Sequence, residues 1–302
     1  MALLSNAALA EIAVHIGPTD IPRGEANGER DITVRNGLFA LAFAVDSAPP
    51  WGVARGGIVD VAIMREGQPG NDIASLVDFM PNNWSAWPTR YQQVDIVNQT
   101  PQEITIRTRR DWGEVALETT FRIRDGDPRV QLTTVMHNKG EKALPDLLTG
   151  YVAWPDGGYL YGVPGLSGEK SSAETEATGD WSASYDHNWV LGLHAPYADE
   201  LRYSGRDRYL LHQLEPGERQ SFEAWLQVES SGNLAPLVVA EIEFQKLPSG
   251  NVAGEVRSSD GKLVEQPAVV VLKDGRPYCW VLGQGGRYDL QLPVGTYTVY
   301  AT

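Results

Sequence analysis

The run Trp84-Ser85-Ala86-Trp87-Pro88-Thr89-Arg90-Tyr91 sets two indoles three residues apart in a proline-bounded loop, with Arg90 close behind. Indole faces stack on the C–H surfaces of sugar rings, so the chemistry on offer is saccharide binding. A loop plugged into the core by its tryptophans is the competing reading. Trp154-Pro155-Asp156-Gly157-Gly158-Tyr159 repeats the device, with Asp156 as a group that orients a ligand hydroxyl, or as part of a plain turn. A third run, Tyr185-Asp186-His187-Asn188-Trp189, supplies a Tyr or His base, and Arg90 or Arg202 supplies a cation for a uronate carboxylate. Tyr159 and Tyr161 are further partners for such lyase chemistry, and an aromatic loop packed over a sandwich end is the alternative. The candidate carbohydrate-binding residues are therefore Trp84, Trp87, Arg90, Trp154, Asp156, Tyr185, His187 and Trp189. No catalytic residue, metal ligand or cofactor is assigned.

Other chemistries find less support. The five histidines, His15, His137, His187, His194 and His212, are scattered without ligand spacing, and no His-x-His occurs. The single cysteine, Cys279, excludes an internal disulfide and multi-cysteine metal sites, and beside Trp280 it reads as a buried thiol. Asp60, Asp72, Asp78 and Asp111 read as solvated acids, although two of them, if paired, would suit glycoside hydrolysis. Arg55-Gly56-Gly57 opens an apolar strand with no helix after it, so it does not cradle phosphate.

These residues need elements to hold them. Thirty-one glycines, 19 prolines and only 4 methionines in 302 residues point to many turns and an all-β chain. A net charge of −14 repels nucleic acid and anionic membranes, which are excluded as partners. Alternation is the dominant pattern: Val115, Leu117, Phe121 and Ile123 fall on one face, Glu114, Glu118, Arg122 and Arg124 on the other. Ile104 and Ile106 repeat it upstream; Val130, Leu132, Thr134 and Met136 do so downstream, which makes a meander. Helical spacing is confined to Ala7–His15 and Ile73–Met80, and 167–179 reads as an exposed loop. Ser230-Ser231-Gly232-Asn233 reads as a joint, dividing the chain into 1–230 and 231–302. In the second part, Gly250–Val256, Val269–Leu272 and Gly285–Tyr300 alternate around Asp274-Gly275 and Pro293-Val294-Gly295, the signature of hairpins.

Three motifs carry a family likeness: Asn36-Gly37 entering the apolar run Leu38–Phe43, the strand Leu132–Asn138 ending in Lys139-Gly140, and Leu214-Glu215-Pro216-Gly217-Glu218 before Phe222–Val228. Together they resemble the galactose-mutarotase-like supersandwich, a two-layer antiparallel fold, over roughly 200 residues. The mutarotase His-Pro motif is missing, which argues against epimerase activity. Residues 241–302 resemble the carboxypeptidase-regulatory-like (transthyretin-like) β-sandwich, in which a further strand follows the Gly-x-Tyr-x-Val strand. The order of the two resembles the N-terminal part of carbaryl-hydrolase-like PHP-type metallohydrolases. That resemblance implies a non-catalytic accessory region of a bacterial, periplasmic or secreted hydrolase. Its metal-dependent catalytic domain would follow residue 302. The alternative is a carbohydrate-binding or polysaccharide-processing protein that works through its aromatic loops.

Overall fold

A computed structural model describes residues 12–85, 91–157, 160–162, 175–176 and 180–302. Trp87, Arg90, Tyr159, the Tyr161 side chain and most of the 167–179 stretch lie outside the described residues. The chain is all-β, with two large antiparallel sheets packed face to face. The first runs Ala13–Ile16, Ile32–Arg35, Phe39–Phe43, Ile58–Arg65, Ala74–Met80, Leu144–Pro155, Asp207–Leu214, Glu200–Arg202 and Thr175–Glu176. The second runs Leu160–Gly162, Trp181–Tyr185, Val190–His194, Arg219–Glu229, Arg129–Asn138, Val115–Arg124, Glu103–Asp111 and Tyr91–Gln99.

The expected meander is present. Glu103–Asp111 pairs with Val115–Arg124, and that strand pairs with Arg129–Asn138. Along all three, buried residues alternate with more exposed ones, because this sheet has one face in the core and one toward water. Phe43, Phe79, Phe121 and Phe222 meet Leu132 and Leu226 in the interior between the layers.

The first sheet behaves differently, since both of its faces are covered. Its second apolar layer is small-residue-rich: Ala40, Ala42, Ala44 and Ala62 pack with Leu76, Val152 and Tyr209 under the connecting loops. This explains why Ile73–Met80 does not form the helix its spacing suggests. Ala74–Met80 is an interior strand, apolar on both faces, and such a run lacks the alternation that marks a half-buried strand.

Among the described residues the α-helix is at Ala235–Gln245. Leu237, Val238 and Ile242 join one apolar cluster with Trp181, Ala183 and Val190 of the second large sheet. Val269, Val271, Cys279 and Val281 of the C-terminal part belong to the same cluster. The helix has apolar residues around its first two turns, and its polar residues Glu241, Glu243 and Gln245 cluster near its end, so its sequence carries no amphipathic period. A buried polar knot pins it. His194 Nδ1 meets Glu241 Oε1, and its Nε2 lies 2.9 Å from Gln227 Oε1. Gln245 donates to the other Glu241 oxygen at 2.7 Å.

Residues 249–302 form two small sheets, Ser249–Glu255 with Arg287–Pro293, and Arg276–Leu282, Ala268–Lys273 and Thr298–Ala301 in that order. Asp274 (φ 52°) and Gly275 (φ 77°) make the expected tight hairpin turn between Ala268–Lys273 and Arg276–Leu282. The Cys279 thiol is buried and pushed up to about 12 by desolvation, as suits an inert core group. Trp280 docks the module by donating its indole N–H to Gly232 O at 2.7 Å, with its ring 4.7 Å from Tyr185.

Candidate functional site

The outer face of the first sheet carries a cluster of aromatic side chains built on one carboxylate. Asp207 opens the strand Asp207–Leu214 and is completely buried. Its Oδ1 accepts the Trp154 indole N–H at 2.7 Å. Its Oδ2 accepts the Trp84 indole N–H at 2.5 Å and the Tyr209 hydroxyl at 2.8 Å. Burial pushes this carboxyl above its ordinary range, and the three donated hydrogen bonds work against that. With three donors in place the carboxylate is a clamp that orients indoles.

Trp51 completes the cluster. It sits at the tip of Pro49-Pro50-Trp51-Gly52, 59% exposed, with its ring centroid 5.3 Å from Trp154 and 5.7 Å from Trp84. Tyr203, 41% exposed, also meets Trp154, at 5.3 Å. The Arg206 guanidinium lies 3.9 Å over the Trp154 ring, and its Nε donates to Tyr203 O at 2.7 Å. Ten non-glycine residues among those described have positive φ, and Trp51, Asn83, Trp84, Tyr203 and Ser204 are five of them. Strained backbone concentrated in one patch marks a surface whose shape is held by the rest of the fold.

Beside the cluster lies a cavity of about 320 Å³, with Trp51, Trp84, Arg55, Ser85, Gln92 and Trp112 on its walls. Its floor is a buried ion pair joining the two large sheets. Arg110 of Glu103–Asp111 donates from Nη1 to Asp78 Oδ1 at 3.0 Å and from Nη2 to Asp78 Oδ2 at 2.7 Å. Arg110 also donates from Nε to Arg55 O at 2.9 Å and from Nη2 to Ala54 O at 3.2 Å. The glycines after Arg55 have a steric cause here. A Cβ on Gly57 would sit 2.7 Å from Asp78 Cγ, and one on Gly56 (φ 99°) 2.3 Å from Thr108 Cγ2.

The structure divides the residues proposed from sequence. Trp84 and Trp154 come together on Asp207, and Trp87 and Arg90 lie outside the described residues. Asp156 is exposed at the end of its strand, where its charge acts on Asp72. Tyr185 ends a strand of the other sheet, His187 and Trp189 lie in the turn that follows it, and none of the three joins the cluster. Trp189 is 7% exposed in the central core, and Tyr185 packs on Trp280. Asp186 caps the turn between them, accepting the Asn188 and Trp189 N–H groups. That run is a turn in which aromatics contribute buried area.

Three of the four acids expected to be solvated are buried. Asp78 holds Arg110, and Asp60 accepts the N–H groups of Glu25 and Ala26 at 2.6 and 3.1 Å. Asp72 accepts those of Val61 and Ala74 at 2.8 and 3.1 Å. Only Asp111 is at the surface, paired with Lys139 at 2.7 Å. Burial raises Asp60 to about 6 and Asp72 to about 8, with Asp60 and Asp156 adding like-charge repulsion on Asp72. A carboxyl raised on folding favours the fold while protonated. Its contribution is whole below the ordinary carboxylate range and is lost as pH climbs toward 8. Asp72→Asn keeps an oxygen for both N–H groups and never ionises. Relative to the natural chain, it should gain stability between about pH 4 and 8, reaching on the order of a few kcal/mol. Urea unfolding at several pH values checks this; a variant-minus-natural difference that is flat across that range contradicts it.

Sequence reasoning passed over Trp51, Asp207, Tyr203 and Arg206. Pro-Pro-Trp-Gly was a usable signal, since a tryptophan between turn formers reads as an exposed loop tip. Asp207 had none, because its indole partners are 53 and 123 positions away.

No family model matches this sequence, and no curated protein matches it. Among solved structures, the chain is similar to a putative aldose 1-epimerase from Klebsiella pneumoniae subsp. pneumoniae MGH 78578, at 11% identity and TM-score 0.46, over 78% of this chain and 87% of that one. It is similar to a galactose mutarotase related enzyme from Lactobacillus acidophilus, at 10% identity and TM-score 0.39, over 67% of this chain and 98% of that one. It is also similar to the alpha-galactosidase from Lactobacillus brevis, at 10% identity and TM-score 0.43, over 72% of this chain and 42% of that one. Nothing about activity follows from likeness at this level, and the β-sandwich architecture rests on the strand pairing itself.

Proposed function

We propose that this chain is a non-catalytic carbohydrate-binding β-sandwich region that engages its ligand at the Trp51–Trp84–Trp154–Tyr203 surface. One observation carries the reading: a fully buried carboxylate fixes two indoles against a third, largely exposed indole and a partly exposed tyrosine. Exposed aromatic area held rigid costs little ordering on binding and offers faces for sugar C–H groups. Asp207, the nearest buried acid, already accepts three hydrogen bonds, which suits a positioning role better than proton transfer. Trp51→Ala removes one exposed face and little packing. It is expected to weaken saccharide binding about tenfold, near 1.4 kcal/mol, with unfolding unchanged. Intrinsic fluorescence titration with gluco-, galacto-, manno-, xylo- and galacturono-oligosaccharides reads the effect. Silence toward every series, or equal affinity in the variant, counts against the proposal.

The finer reading is that this region serves a metal-dependent hydrolase domain of the same polypeptide, with 249–302 as a transthyretin-like module beside it. The outer strand Thr298–Ala301 favours it. That strand is an edge, exposed along its length, with Val299 and Tyr300 at the surface and Val294 exposed nearby. The reading frame beyond Thr302 should then encode a His-x-His pair, and a longer chain should shield Tyr300 from chemical labelling. A frame without that pair sinks this reading and leaves the binding proposal untouched.

A further inference from the structure

We infer that the site takes the end of a short, uncharged glycan, and neither a flat polysaccharide surface nor a polyanion; this rests on the carbohydrate-binding reading above. Ring orientation comes first. Trp51 meets Trp84 at 85° and Trp154 at 60°, Trp84 meets Trp154 at 89°, and Trp154 meets Tyr203 at 61°. A crystalline polysaccharide presents one plane of sugar rings, and only coplanar aromatic faces lie flat on it. These rings form the corner of a cup.

The cup leads into the cavity of about 320 Å³, near the lower end of the roughly 300–1,000 Å³ usual for small-molecule sites. A short segment fills such a volume, and further sugars would project into water. Ser85 and Gln92 on its walls supply hydroxyl and amide groups, which suit ring hydroxyls.

Arg206 lies over Trp154 at the cup, but charge within the cavity itself favours an uncharged ligand. Arg110 in the floor is matched by Asp78 and two carbonyls, so a ligand carboxylate entering the cavity meets a cation already neutralised. Arg55 is at the exposed rim, where its Nε donates to Ser47 O at 3.2 Å and water screens it. The chain's net charge of −14 repels a polyanion at long range.

The test is calorimetric titration of the full chain with the neutral oligosaccharide series that quenches it best, from disaccharide to hexasaccharide. Length-matched oligogalacturonate and co-sedimentation with microcrystalline cellulose run alongside. Affinity should climb to about the trisaccharide and then change by less than about twofold. Oligogalacturonate should bind at least about tenfold more weakly at low salt, and cellulose should retain nothing. Gln92→Ala should weaken neutral binding about fivefold with unchanged unfolding. Retention on cellulose, affinity still rising at the hexasaccharide, or preference for oligogalacturonate overturns the inference and leaves saccharide binding standing. Failure of every neutral and acidic sugar overturns the underlying reading instead.

Discussion

Asp207→Ala is expected to lower the unfolding free energy by roughly 3 kcal/mol and to abolish ligand binding together. The alanine leaves two indole N–H groups and one phenol hydroxyl without their acceptor in a buried setting. Each orphaned donor costs about 1–3 kcal/mol, and the void adds to that. Relief of a desolvated carboxylate returns part of it, because burial already holds this acid above its ordinary range. Asp207→Asn is the informative partner. Its one carbonyl oxygen serves either Trp154 or the Trp84 and Tyr209 pair, so stability should fall between the alanine variant and the natural chain. Guanidinium unfolding followed by tryptophan emission measures both. An alanine variant within about 1 kcal/mol of the natural chain would mean that the clamp does not hold the cluster.

The second large effect is at the floor of the cavity. Arg110 and Asp78 are 3% and 2% exposed in their side chains, and they tie the two large sheets together. Asp78→Ala strands a guanidinium away from water, and breaking such a pair costs about 3–5 kcal/mol. The double change Asp78→Leu with Arg110→Met should restore much of that, since a buried pair replaced by apolar groups of similar size is often near neutral. Stability recovers in the double variant, whereas binding should not, because Arg110 also donates to Ala54 and Arg55 carbonyls that shape the wall carrying Trp51. Full recovery of both would show that the ion pair has no part in shaping the site.

Legibility in the sequence followed burial geometry. Strands with one wet face, such as Val115–Arg124, declare themselves because every second residue must be polar. Ala74–Met80 does not, since both of its faces are dry. The helix Ala235–Gln245 is hidden for a related reason: apolar residues surround its first two turns, and its polar residues Glu241, Glu243 and Gln245 gather in the last turns instead of lining one face. The candidate site was half visible. Trp84 and Trp154 stand out as tryptophans in turn-rich runs, but a single aspartate between Arg206 and Arg208 looks like a surface charge. Only tertiary pairing makes it the centre of the cluster. Tyr185–Trp189 is similar to Trp84–Tyr91 in composition, yet Trp189 is buried in the central core while Trp84 reaches Asp207 on the outer face of the first sheet. Local sequence does not encode that difference.

The most direct measurement is two-dimensional NMR of the nine indole N–H groups while a bound oligosaccharide is titrated in. Signals of Trp51, Trp84 and Trp154 should move together and saturate at one stoichiometry, while those of Trp181, Trp225 and Trp280 stay in place. Movement confined to the second group, or a spectrum that does not change with a sugar shown to bind, would contradict a ligand seat built on Asp207.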